Sequence, residues 1–285
     1  MTKNKKRLLA VLAHPDDESF GPGGTLSYYA AQGVDVHIAI ATDGAAGSVA
    51  EGQEDKRAQL AAVRAQELEA AVKILGGTLH NLGFRDSGMT GDPSNEHPEA
   101  FINADMDEAI ERIVRLIREI KPQVIVTHDE TGGYFHPDHI MCWKIVTPAF
   151  EAAADPAQYP EQNLEPFQAE RLYYTAIPDT WRKFVALMVR LRGQDPTKLG
   201  RNQDIDMTKL GIPREKIHAH IDVRAMWETK RLASAEHASQ GGGSGGFGRP
   251  LPVWARKQIF GREMFMRAYP RVPDGYLERD LFGSL

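Results

Sequence analysis

Histidines and aspartates at the ends of apolar runs carry the chemistry of this 285-residue chain. The run from Leu8 to Ala13 leads into His14-Pro15-Asp16-Asp17-Glu18. The run from Gln123 to Thr127 leads into His128-Asp129 and, past Gly132-Gly133-Tyr134-Phe135, into His136-Pro137-Asp138-His139. An imidazole nitrogen with a carboxylate oxygen, as His14 and Asp17 offer, suits a divalent metal ion. Asp16, between them, can stay unliganded beside the water such an ion would hold, although an aspartate there can equally be a loop or N-cap residue. Pro137 suits the first turn of a helix, and His136 and His139, three apart, then share one face. Four of the ten histidines thus lie at the ends of two apolar runs. Two clusters meeting at one edge can supply two histidines, one aspartate and an open position for water, the arrangement of a hydrolytic zinc site. The same donor set also suits non-haem Fe(II).

Such a meeting needs a scaffold. Leu8 to Ala13 is continuously apolar, as expected of a strand buried on both faces. The pattern then predicts a helix over Thr25 to Gln32, with Thr25 as N-cap and Gly33 as stop, and a strand over Val34 to Thr42. A helix over Asp55 to Leu75 ends at Gly76-Gly77, and a short strand follows near Thr78 to Leu82. Arg85 to Asn103 reads as a loop long enough to be a lid. Ile110, Ile113, Val114, Ile117 and Ile120 mark a helix stopped by Pro122, before the strand Gln123 to Thr127. Further strands are expected over Leu172 to Ile177 and Ile217 to Val223, with a helix over Met226 to Ser239. The glycines from Gly241 to Gly246 form a linker or a loop shaping an opening.

Alternating strands and helices predict an α/β fold: a doubly wound, mostly parallel, Rossmann-like sheet flanked by helices. One domain over residues 1–285 is expected, with a core over about 1–180 and a C-terminal elaboration over about 181–285. Sites in such sheets lie at the carboxyl ends of strands where strand order reverses. A dinucleotide binder would place G-x-G-x-x-G after the first strand; this chain places acidic and imidazole groups there, and Gly21-Pro22-Gly23-Gly24 lacks the spacing.

Composition narrows the partners. With 34 Lys and Arg against 39 Asp and Glu, the net charge is −5, which argues against a nucleic-acid partner or an anionic membrane surface. The single cysteine, Cys142, excludes an internal disulfide and a Cys-type zinc site. The apolar run after the basic start is too short for a signal core or a membrane span, so a cytoplasmic protein without membrane insertion is expected. Assembly as a homo-oligomer stays open.

Ala13-His14-Pro15-Asp16-Asp17-Glu18 together with His136-Pro137-Asp138-His139 resembles the LmbE-like, PIG-L family of zinc-dependent N-acetylglucosaminyl de-N-acetylases. Gly132 to His139, with Arg85-Asp86-Ser87-Gly88-Met89, is most similar to the branch holding the mycothiol-type deacetylase and the mycothiol-conjugate amidase. The resemblance implies a Zn2+ site of His14, Asp17 and His139, with Fe2+ as the alternative metal. It implies Asp16 as general base, and His136 and Tyr134 as groups assisting the developing oxyanion. Asp138 would steady an imidazole, and Glu18 would support the loop. The implied activity is removal of the N-acetyl group from a small N-acetylglucosamine conjugate, such as an inositol or malate glycoside. Cleavage of a thiol-sugar conjugate by an amidase is the alternative within the same chemistry, and a non-catalytic metal- or sugar-binding module is the alternative outside it.

Arg64, on the exposed flank of its helix, is a candidate for a substrate hydroxyl or phosphate, against the plain role of a solvated arginine. Asp86 is a candidate for sugar hydroxyls, against that of a turn aspartate. Relatives carry a glutamate in the loop that reads Asp43-Gly44-Ala45-Ala46-Gly47 here, so one sugar contact is expected to be missing. His37, His80, His97, His218 and His220 are expected to be structural, and His237 either structural or at the entrance.

Overall fold

A computed structural model describes residues 5–48, 59–191, 193–199, 206–242 and 252–283. Its strands are β1 (Arg7–Leu12), β2 (Asp35–Thr42), β3 (Thr78–Phe84), β4 (Val124–Thr127), β5 (Arg171–Thr175), β6 (Ala219–Asp222) and β7 (Arg262–Tyr269). Its helices are α1 (Asp17–Phe20), α2 (Gly23–Ala31), α3 (Leu60–Leu75), α4 (Met106–Ile120), α5 (Gly132–Phe135), α6 (Pro137–Ala152), α7 (Asp179–Leu191), α8 (Trp227–Glu236) and α9 (Val253–Phe260). The strands form one seven-stranded sheet in the order β3-β2-β1-β4-β5-β7-β6. The first five run parallel, β7 is antiparallel to β5, and β6 is antiparallel to β7. The expected doubly wound, mostly parallel sheet is present.

The alternation of β1 shows why its sequence is apolar throughout. Leu9 and Val11 pack with Ile113 and Ile117 of α4 and Ile145 and Val146 of α6. Leu8, Ala10 and Leu12 face the other way, onto Leu26 of α2 and Leu68 and Val72 of α3. Each of these large aliphatic side chains stabilises the fold by roughly 1.5–3 kcal/mol. Strand order reverses between β1 and β4, so the loops after these two strands open at the same crevice.

Several expectations need correction. Thr25 is not an N-cap: α2 already begins at Gly23, and its first turn is capped by Glu263 of β7, which accepts from the amides of Gly24 (2.9 Å) and Thr25 (2.7 Å). Lys230 of α8 neutralises that carboxylate at 2.5 Å. The helix expected over Met226 to Ser239 breaks at His237 (φ −77°, ψ 53°) and resumes as a 3-10 turn over Ala238–Gln240. β7 carries no simple apolar alternation, because Glu263 is buried in its cap, and it inserts between β5 and β6.

The Arg85–Asn103 segment is pinned. Phe101 is fully buried and stacks on Phe84 at 4.6 Å, and the Asn95 amide donates to the carbonyls of Ser87 (2.5 Å) and Met89 (3.2 Å). Of the glycine-rich stretch, residues 243–246 lie outside the described residues. Among the described residues, no helix is long and apolar enough to cross a membrane.

Candidate metal centre and catalytic site

Local turns bring the side chains together. After β1, the His14 amide donates to Asp17 Oδ2 at 2.8 Å and the Asp17 amide to the His14 carbonyl at 3.2 Å, which closes a tight loop. After β4, the chain passes Gly132 at φ +61°, where a Cβ would come within 2.9 Å of the His139 Cβ. Glycine is therefore required for the loop to lie against α6. His136 is the N-cap of α6, its Nδ1 accepting from the Asp138 amide at 3.2 Å, and Pro137 occupies the first turn as expected. One turn later His139 points back to the β1 loop.

The resulting cluster is buried and tightly spaced. His14 Nδ1 lies 3.2 Å from His139 Nε2 and 3.5 Å from Asp17 Oδ2, and His139 Nε2 lies 3.3 Å from that same oxygen. Ligand atoms on a tetrahedral zinc with bonds of about 2.0–2.1 Å stand about 3.3–3.4 Å apart. The three atoms are therefore spaced much as the corners of such a site would be. The other ring nitrogen of His14 faces Asp138 Oδ2 at 3.2 Å and Asp86 Oδ1 at 3.4 Å, a carboxylate support that fixes which nitrogen looks into the cluster.

Three sets, His14–His136–His139, Asp17–His128–His139 and His14–Asp86–Asp138, also gather ligand atoms within 4.8 Å. His128 stacks on His139 at 3.8 Å between ring centroids and comes within 3.5 Å of Asp17 Oδ2. Its Nε2, however, accepts from the Ala13 amide at 3.2 Å, which already uses the lone pair a metal would need. His128 directly follows β4, at the strand-order reversal, and so lines the cluster.

Charges inside the cluster shift its acids and bases. Burial alone would raise the Asp17 carboxyl, but the charge of His139 and the hydrogen bonds it receives within the cluster hold it well below the usual range. Burial would lower the His14 imidazole, and Asp86, Asp138 and Asp17 reverse this and hold it well above 6.5. Burial pushes His139 down to about 4 and, with the charges of His14 and His139, pushes His136 down to about 2. Neutral, and with Nδ1 accepting from the Asp138 amide, the His136 imidazole carries its proton on Nε2.

Asp16 sits beside this cluster with its backbone at φ 129°, ψ −28°. Burial raises its carboxyl to about 6, against the lowering influence of Arg64. Arg64 is not on an exposed flank: it is 2% exposed, donating to the Gly44 carbonyl at 2.9 Å, to the Pro15 carbonyl and to Asp16 Oδ2 at 3.1 Å. Gly44 leaves room for it, since a Cβ there would lie 2.7 Å from the guanidinium. Asp86 is buried as well, and both its oxygens are engaged, by the amides of Gly88 and Ala46 and by His14.

Tyr134 lies 5.0 Å from His139 and 5.8 Å from His136 between ring centroids. Burial raises its hydroxyl pKa, so it remains a proton donor. Glu18 and His237 have no solvent exposure and meet at 2.6 Å, which places His237 behind the β1 loop and away from any entrance. His80, expected to be structural, pairs with His37 at 3.0 Å across β2 and β3. Cys142 is buried with its thiol pKa raised by burial, an inert core position.

Comparison with known proteins agrees with this geometry. The family model for GlcNAc-PI de-N-acetylase, PIG-L, matches residues 9–150. A 1D-myo-inositol 2-acetamido-2-deoxy-alpha-D-glucopyranoside deacetylase from Geodermatophilus obscurus is 36% identical over 98% of this chain and 98% of its own. Among solved structures, N,N'-diacetylchitobiose deacetylase from Pyrococcus horikoshii superposes with a TM-score of 0.63 at 20% identity, covering 93% of this chain and 84% of its own. The 4-carboxy-2-hydroxymuconate hydratase GalB from Pseudomonas putida gives 0.62 at 18% identity, over 94% and 98%, so the fold alone does not fix the chemistry. Identity of this level along nearly the whole of both chains, on a framework whose first half carries both histidine clusters, shows that this chain belongs to the PIG-L, GlcNAc-PI de-N-acetylase family.

Proposed function

We propose that this deacetylase removes the N-acetyl group from an N-acetylglucosaminyl-inositol conjugate at a zinc ion held by His14, Asp17 and His139. The observation that carries the reading is the triangle of ligand atoms at 3.2, 3.3 and 3.5 Å, with an unliganded carboxylate, Asp16, beside it. Near-full-length identity to a deacetylase of the inositol conjugate supports the substrate class.

Zinc bound there supplies a Lewis acid, which brings the pKa of water to about 7 and polarises the acyl carbonyl. Asp16, with its pKa near 6, takes the proton of the attacking water at neutral pH. A C–O bond forms at the acetyl carbon and the C–N bond breaks. Asp16 returns its proton to the departing nitrogen, leaving acetate and a free amine. The Tyr134 hydroxyl and the His136 Nε2–H donate to the oxyanion, the step at which fixed dipoles contribute most. Asp138 and Asp86 orient His14, while Arg64 keeps Asp16 ionisable in its buried setting.

Metal analysis joined to an assay of amine and acetate release tests this over a panel of N-acetylated sugar conjugates. Stoichiometric zinc with acetate release from the inositol conjugate is expected. Selective cleavage of a larger thiol-sugar amide, with no acetate formed, would overturn the substrate assignment, and activity restored by Fe(II) alone would overturn the metal.

A further inference from the structure

The conformation of Asp16 needs an explanation that the zinc ligands do not supply. A φ of 129° lies in a region that side chains other than glycine rarely enter, at a cost on the order of 1–3 kcal/mol. The Asp16 carbonyl is held from α1, by the amides of Ser19 at 3.0 Å and Phe20 at 2.8 Å. Its side chain is held by Arg64 at 3.1 Å. Its amide is held by a side chain, Glu18 Oε2, at 2.9 Å. The other oxygen of that carboxylate accepts from Ser19 Oγ at 2.5 Å and meets His237 Nε2 at 2.6 Å. Anchoring Oε1 stops the carboxylate from rotating and so fixes Oε2 on the Asp16 amide. His237 lies 219 residues along the chain, where α8 breaks, and two residues later Ser239 is clamped to α3. The Ser239 amide and hydroxyl donate to the two oxygens of Glu67 at 2.8 and 2.6 Å. Glu67 lies three residues after Arg64 on the same helix, so the segment after α8 bears on both the main-chain and the side-chain supports of Asp16.

We propose that Glu18 and His237 are a positioning pair that holds the Asp16 main chain in its strained conformation and so aims the carboxylate at the reaction centre. The proposal rests on the reading of Asp16 as general base. A fully buried carboxylate–imidazole pair returns little net stability for its desolvation, so its value lies in the geometry it enforces. Neither residue touches substrate, and both act through Asp16.

The test is a kinetic double-mutant cycle on the zinc-loaded protein with Asp16→Asn and His237→Ala. Since a misplacement of about 1 Å can cost on the order of 100-fold in rate, His237→Ala is expected to lower kcat by about 10–100-fold. KM and zinc stoichiometry are expected to stay within about twofold, because the ligand set is untouched. In the Asp16→Asn background the same substitution should cost nothing further, an outcome that a general loss of structure would not give. A kcat for His237→Ala within about threefold of wild type, or a full multiplicative loss in the Asp16→Asn background, overturns the positioning role while leaving the base assignment intact. Near-normal turnover of Asp16→Asn alone overturns both. Should His237→Ala fail to fold, His237→Gln and His237→Asn decide. The Gln amide reaches the place of Nε2 and restores kcat, whereas the shorter Asn does not; equal kcat values for the two overturn the proposal.

Discussion

Adding one methyl group at Gly132 measures how closely the loop before α6 is fitted to the metal cluster. Gly132 and its neighbour Gly133 both sit at positive φ, +61° and +71°. Alanine at 132 therefore incurs a conformational cost of about 1–2 kcal/mol, and alanine at 133, whose φ pairs with a ψ of −49° outside the left-handed helical region, about 1–3 kcal/mol. Only at 132 does the new carbon also meet a neighbour, the His139 Cβ at 2.9 Å, whereas at 133 nothing lies within 4 Å. Relieving that contact within a packed site costs a further ~1–3 kcal/mol. The extra cost appears as lost stability if His139 stays in place. If His139 is displaced, it appears as a 5- to 150-fold weaker zinc affinity, at about 1.4 kcal/mol per tenfold. Urea denaturation of the metal-free protein and zinc titration against a competing chelator divide the two contributions. Gly133→Ala should lose stability with zinc affinity within about twofold, and Gly132→Ala should lose the additional amount summed over both measurements. A total loss for Gly132→Ala no larger than its backbone cost of about 1–2 kcal/mol would refute the reasoning, since the contact with His139 would then carry no energy.

Protonated Asp16 cannot accept a proton, so kcat/KM should fall as pH drops through about 6. Removing the guanidinium with Arg64→Gln should move that acid limb upward, and a limb that stays in place contradicts the role given to Arg64. For stability the sign is opposite: a carboxyl raised from 3.8 to about 6 favours the folded state at low pH, and its contribution is lost as pH rises through that interval. Asp138→Asn, which weakens the support of His14 Nε2, should reduce zinc affinity by about 10–100-fold in a chelator competition; an unchanged affinity contradicts the orienting role. Glu263→Ala uncaps α2 and strands Lys230, so urea denaturation should show a loss of about 2 kcal/mol, and a loss under 0.5 kcal/mol refutes the cap.

The candidate site residues were legible because they are local. His14 to Glu18 and His136 to His139 each fit within a single turn at the end of an apolar run, and the proposed metal ligands join two such turns. What stayed hidden depends on contacts far apart in sequence. Glu263 caps α2 from 238 residues away, and His237 reaches Glu18 across 219, distances at which no periodicity signals a partner. Arg64 reads as a solvated position because it is charged, although it lies between Leu60 and Leu68 on the buried face of α3; the Pro15 and Gly44 carbonyls that enclose it come from the β1 and β2 loops. The fold was legible through β4 and β5 because strands buried on both faces are continuously apolar. β7 was not, because its buried Glu263 interrupts the pattern and its antiparallel place between β5 and β6 is set by tertiary packing.

The most direct test of the central claim is acetate release from N-acetylglucosaminyl-inositol while metal-stripped protein is titrated with zinc. The account predicts acetate and free amine in equal amounts, with activity rising to a plateau at one zinc per chain. No acetate at any point of the titration, from protein shown to be folded, would contradict it.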